Sequence, residues 1–111
     1  MSSQTRQLTI HTGVVNRLAK ELKSYIAEAD KQKERVAQME DNHDDEYEIR
    51  QQRRVLAESE QMIPDSQKRL AKAITDLDDL VASAEDELSA TDEYKKAQDA
   101  LTAAREQTGE S

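Results

Sequence analysis

The sequence predicts an all-α fold: an elongated antiparallel three-helix bundle, a coiled-coil-like rod with its second helix kinked at Pro64. Three observations predict it. Apolar residues recur every seven positions along two long stretches, the spacing of helices that share a seam. Ala, Glu, Lys, Leu and Arg make up 52 of the 111 residues, near the half expected of long helices. Only two Gly and one Pro are present to punctuate turns. Nine Leu, five Ile, five Val and no Phe, with a net charge of −8, would otherwise suit a disordered chain. Periodicity decides for helix.

In the first helix Leu8, Val15, Leu22, Ala29 and Val36 repeat every seven residues. Leu18, Tyr25 and Met39 fall between them, with His11 and Gln32 in the remaining places. This helix is expected over residues 6–40, ending where Asp41-Asn42-His43-Asp44 offers turn chemistry. A second ladder, Ile49, Leu56, Ile63, Leu70, Leu77 and Ala84, with Ile74, Val81 and Leu88 as later companions, predicts a helix over 45–86. Asp44 or Asp45 is its N-cap. Tyr94, Ala97, Leu101 and Ala104 step by three and four and predict a third helix over 92–107, capped by Ser89 or Thr91 and closing at a frayed Gly109. At 1.5 Å per residue the first two helices are roughly 50–60 Å long and the third about 25 Å. Short connections make consecutive helices antiparallel, so residues 1–111 read as one three-helix domain.

Three features break the pattern. Pro64 removes a backbone donor and its ring clashes with the carbonyl of Glu60, at about 3 kcal/mol in an ordinary helix. Because Ile63 to Leu70 keeps the seven-residue step, a kinked but continuous helix is expected, the alternative being two helices with Pro64 in the first turn of the later one. Gly13 inside the first helix costs about 1 kcal/mol relative to Ala. It is either a fraying point or a place where another backbone, that of the third helix or of a partner, comes close. Charge is uneven too: residues 40–48 hold six acids and no base, and residues 76–93 hold eight acids and no base. These stretches are either solvated charge around helix ends or separators of the three helices.

Composition excludes several functions. Without Cys there are no disulfides, thiolate metal sites or thiol catalysis, which suits a reducing compartment. No apolar run approaches the roughly 18 residues of a membrane span, and the opening Met-Ser-Ser-Gln-Thr-Arg does not read as a secretory leader. Three Tyr with no Trp or Phe supply poor base-stacking platforms, and an acidic chain repels phosphate backbones, so no nucleic acid is expected. Glu40-Asp41-Asn42-His43 matches the Glu-x-x-His of di-metal bundles, but such sites need a second copy and further Glu on facing helices. The acidic run lacks the glycine and ligand spacing of a calcium loop. With no nucleophile triad or phosphate loop either, neither enzyme activity nor a cofactor is expected.

Three segments carry a family resemblance. His11-Thr12-Gly13-Val14-Val15-Asn16-Arg17-Leu18-Ala19-Lys20-Glu21 resembles the K-T-G-V-V-x-R-L-x-K-E opening of the tubulin-binding cofactor A family, with His11 in place of the Lys. Glu58-Ser59-Glu60-Gln61-Met62-Ile63-Pro64-Asp65-Ser66-Gln67-Lys68-Arg69-Leu70 resembles its E-S-x-x-M-I-P-D-x-Q-x-R-L stretch, and Asp92-Glu93-Tyr94-Lys95-Lys96-Ala97 its E-E-Y-K-x-A segment. The match is collinear over about residues 5–105. The resemblance implies a cytoplasmic, cytoskeleton-associated chaperone, monomer or homodimer, that uses no nucleotide. It implies capture of β-tubulin after release from the cytosolic chaperonin, holding it for assembly into α/β heterodimers, with later tubulin-folding cofactors as further partners. The competing class is a structural coiled-coil adaptor, which composition and heptads suit equally.

Two physical features suit such a client. A short third helix covers the later half of the second helix and the early half of the first. Tyr25, Ile26, Val36, Met39, Ile49, Leu56 and Met62 are then expected in a thinly covered two-stranded half. Basic residues (Arg17, Lys20, Lys23, Arg50, Arg53, Arg54, Lys68, Arg69) lie along the helices, away from the acidic turns, where they either steer an acidic client or are simply solvated. The candidate partner-binding residues are Arg17, Lys20, Tyr25, Arg53, Leu56, Met62, Pro64, Asp65, Arg69 and Tyr94.

Overall fold

Backbone hydrogen bonding is satisfied almost entirely within helices. The computed structural model describes residues 2–109, which form α1 (Ser3–Asp41), α2 (Glu46–Leu88) and α3 (Asp92–Thr108). The chain is an all-α helical bundle.

Local capping chemistry sets the ends. Ser2 starts α1: its Oγ accepts from the Thr5 amide at 3.1 Å, which places the first turn before residue 6. At the other end the Asp44 amide donates to the Met39 carbonyl at 3.0 Å and the His43 amide to Glu40 at 3.1 Å. This is a Schellman closure, and it puts His43 in the left-handed region at φ 55°, a place that glycine or asparagine usually fills. Of the two candidate caps for α2, Asp45 serves, its Oδ2 accepting from the Glu48 amide at 3.4 Å. Thr91 caps α3 by accepting from the Tyr94 amide at 3.2 Å, and its hydroxyl donates back to the Leu88 carbonyl at 2.7 Å. Gly109 is an ordered stop rather than a frayed end: at φ 79° it closes α3 with its amide on Arg105 and Glu106.

Pro64 lies inside α2, which runs through it unbroken, so the continuous-helix alternative is the one adopted. Gly13 lies inside unbroken α1, and a Cβ built on it meets nothing within 4 Å. Neither fraying nor an approach by α3 accounts for it.

Two compact units result. The first holds residues up to Lys20 and from Lys68 onward. Leu8, Val15, Leu70 and Leu77 are completely buried there, with Leu18, Ile74, Val81 and the α3 face of Tyr94, Ala97, Ala100, Leu101 and Ala104 around them. Small side chains on that face let α3 come close. Gln4 Nε2 donates to the Ser83 carbonyl at 3.3 Å, Arg105 pairs with Asp78 at 3.1 Å, and Gln107 Nε2 donates to the Ala19 carbonyl at 2.8 Å. Within this unit α2 therefore runs antiparallel to both α1 and α3.

The second unit, Glu21–Gln67, contains two helices only. Leu22, Ala29, Val36 and Ile49 are buried, while Tyr25, Met39, Leu56 and Ile63 stay half-buried. Its seam also contains a polar pair: Gln32 Nε2 donates to the Gln52 side-chain oxygen at 2.9 Å and to the Gln52 carbonyl at 3.0 Å. Sliding one helix by a turn would separate these groups, so the pair pins the register.

Two stability outcomes follow from this packing. Leu70→Ala should lower unfolding free energy by roughly 2–4 kcal/mol in chemical denaturation; an unchanged midpoint would mean the seam is misassigned. His43→Gly should raise stability by about 1 kcal/mol, because glycine has no penalty in the left-handed region.

Candidate functional site

What the seam leaves outside is the candidate binding surface. In the first unit the outward side of α1 meets α2 along a groove of about 270 Å³ lined by His11, Val14, Arg17, Leu18, Arg69, Lys72, Ala73 and Asp76. Its floor is apolar, from Val14, Leu18 and Ala73. Its rim carries three cations and one carboxylate, with Lys72 Nζ 3.4 Å from Asp76. The groove joins residues from two stretches far apart in sequence: His11, Val14, Arg17 and Leu18 belong to the first motif segment and Arg69 to the second. Antiparallel packing of α1 on α2 brings them together.

Beside the groove, Ile10 is 49% exposed and Val14 half-buried. Ile10, Gly13, Val14 and Arg17 follow the spacing i, i+3, i+4, i+7 and therefore share one face of α1. That face is separate from the buried Leu8–Val15–Leu22 seam. Lys20 is exposed in the same unit. Tyr94 is not available as a contact: it is 6% exposed and belongs to the α3 core face. Thr12 is buried in this unit, and its hydroxyl has no hydrogen-bond partner among the described residues.

In the second unit Met62 is 44% exposed, Tyr25 and Leu56 are half-buried, and Pro64 and Asp65 are exposed. Arg53 pairs with Glu40 at 3.3 Å across the hairpin. Val36 and Ile49, expected in a thinly covered stretch, are instead only 5% and 7% exposed, because the two helices alone close over them. Val55 at 41% and Tyr47 at 64% join Ile26 and Met62 among the exposed apolar side chains. Sequence reasoning missed Ile10, Tyr47 and Val55, since attention to the seam ladders passed over apolar residues off them. The seven-residue step from Val55 to Met62 was the available signal.

No group of three or more His, Asp or Glu among the described residues is placed to hold a metal ion, and no described helix is long and apolar enough to cross a membrane. The acidic turn forms a hollow of about 350 Å³ lined by Glu40, His43, Asp44, Glu46, Ile49 and Arg53, with Arg53 paired to Glu40 at 3.3 Å.

The chain is similar to known proteins over nearly its whole length. The profile of the family described as "Tubulin binding cofactor A" matches residues 3–101. A Mus musculus "Tubulin-specific chaperone A" is 44% identical over 94 residues, covering 85% of this chain and 86% of the relative. The crystal structure of "tubulin folding cofactor A from Arabidopsis thaliana" superposes with a TM-score of 0.88 at 35% identity, covering 94% of this chain and 97% of the other. A structure of "human tubulin chaperone cofactor a" does so with a TM-score of 0.83 at 39% identity, covering 92% and 98%.

Proposed function

The chain belongs to the tubulin binding cofactor A family, and we propose that it is a tubulin-folding chaperone that captures β-tubulin folding intermediates. In this reading it takes β-tubulin after release from the cytosolic chaperonin, holds it in the cytoplasm, and yields it to other tubulin-folding cofactors for heterodimer assembly. The observation that carries the reading is the family match over residues 3–101; both longer motif segments divide between buried seam residues, such as Val15 and Leu70, and exposed ones, such as Arg17, Met62 and Arg69, which supports it. Such a task needs no reaction. It needs a surface that covers aggregation-prone apolar patches on the client and then releases them.

The surface suits that task. Its exposed apolar side chains are few and scattered among charges, so contacts are individually weak and reversible. Met62 is adaptable enough to fit an imperfect surface. Cations on the helix sides, Arg17, Arg53 and Arg69 among them, act on orientation and association rate toward an acidic client more than on affinity. The acidic turns disfavour the same client by like charge.

The reading makes two expectations. The purified chain binds free β-tubulin and ignores the assembled α/β heterodimer in a native-gel titration; equal binding of both, or of neither, would leave an adaptor and overturn the chaperone. Reversing charge at Arg17, Arg53 and Arg69 together slows β-tubulin association about tenfold at low salt, the difference shrinking as salt rises, with helicity intact. Capture unaffected by the triple change would remove the steering role.

A further inference from the structure

In the Glu21–Gln67 unit, α2 contributes one apolar column and one polar column to the seam. Counted by sevens, Ile49, Leu56 and Ile63 form the first, and Gln52, Ser59 and Ser66 the second. Beyond residue 67 both columns are apolar, with Leu70, Leu77 and Ala84 in one and Ala73 and Leu80 in the other. Burial follows composition. Leu70, Leu77 and Ala84 are completely buried, whereas Leu56, Ile63 and Ser59 are only half-buried. Burial of apolar area is the main term holding paired helices together, so α2 is held less firmly over 52–66 than over 70–84.

Two further weaknesses fall at the end of that stretch. Pro64 has no amide to donate to the Glu60 carbonyl, so one helical hydrogen bond is missing. Ser66 is completely buried, and its hydroxyl has no hydrogen-bond partner among the described residues. Other helical hydroxyls do find one: Thr9 donates to the Thr5 carbonyl at 3.2 Å, and Thr75 to the Ala71 carbonyl at 3.1 Å. A buried hydroxyl without a partner has lost its water and received no bond in return, a cost that opening relieves.

We infer that the Glu21–Gln67 hairpin is a built-in opening device: α2 releases α1 over residues 53–66 in a step of its own, with α2 still closed over 70–81. Opening bares Leu56 and Ile63, which the closed hairpin only half covers. The hydrogen bonds from Gln32 to Gln52 then restore the same register on closing. The device belongs to the chain itself and operates without a client.

Native-state amide hydrogen exchange of the full chain, read residue by residue by NMR, tests this. Amides over 53–66 should exchange on the order of tenfold faster than those over 70–81, as expected of a separately opening unit. Two conservative variants then establish that the openings differ. Ser66→Ala removes the orphaned hydroxyl and should slow exchange over 53–66 several-fold. Ile74→Val deletes one methylene from the other unit, where Ile74 is buried. It should speed exchange over 70–81 and leave 53–66 unchanged, because residue 74 stays packed while the hairpin is open. Equal exchange in the two stretches of the parent would overturn the inference. So would acceleration of both stretches alike by Ile74→Val, since α2 would then open only with the whole fold. Exchange over 53–66 that Ser66→Ala leaves unchanged would overturn it as well.

Discussion

Burial of one heptad seam is the interaction on which everything else depends. Nineteen Leu, Ile and Val residues must hold together three helices that take up most of 111 residues. Fully burying a large aliphatic side chain contributes roughly 1.5–3 kcal/mol, so few of them can be left outside. In the first unit three helices share the seam, and Leu8, Val15, Leu70 and Leu77 are removed from water completely. In the second unit two helices share it. There Val36 and Ile49 are still covered, Leu56 and Ile63 only half, and hydrogen bonding between Gln32 and Gln52 supplies register where packing alone is loose.

That economy shapes the surface. Large apolar side chains left exposed are few among the described residues: Ile10, Ile26, Tyr47, Val55 and Met62. Charged groups cover much of the rest of the exterior, and ion pairs among them such as Arg53 with Glu40 and Lys72 with Asp76 are solvent-exposed and weak. A client-holding surface made of small apolar patches among charges avoids a large exposed greasy face, which would lead the chaperone itself to aggregate.

Much of the fold was legible because a long period-seven signal survives local noise: the helices lie within three residues of the expected bounds, and α2 continues through Pro64 as the Ile63–Leu70 step implied. Helix ends were less legible. Whether Ser2 caps α1, or His43 rather than Asn42 takes the left-handed position, depends on backbone hydrogen bonds that composition does not encode. The site was half legible. Arg17 and Arg69 share a groove because the antiparallel packing places them there. Tyr94 was expected both on the apolar ladder of the third helix and among the contact residues, and only the first holds, since the α3 face takes its ring inside. Ile10 and Val55 escaped notice because they lie off the seam ladders, although the step from Val55 to Met62 was there to be read.

The central claim is that the helix sides, and not the turns, hold the client. Hydroxyl-radical footprinting of the chain, free and bound to β-tubulin, tests it most directly. The account predicts that Ile10 and Val14 lose reactivity in the complex while His43 in the acidic turn keeps it. Protection confined to His43 and its neighbours, with Ile10 and Val14 unchanged, would contradict it.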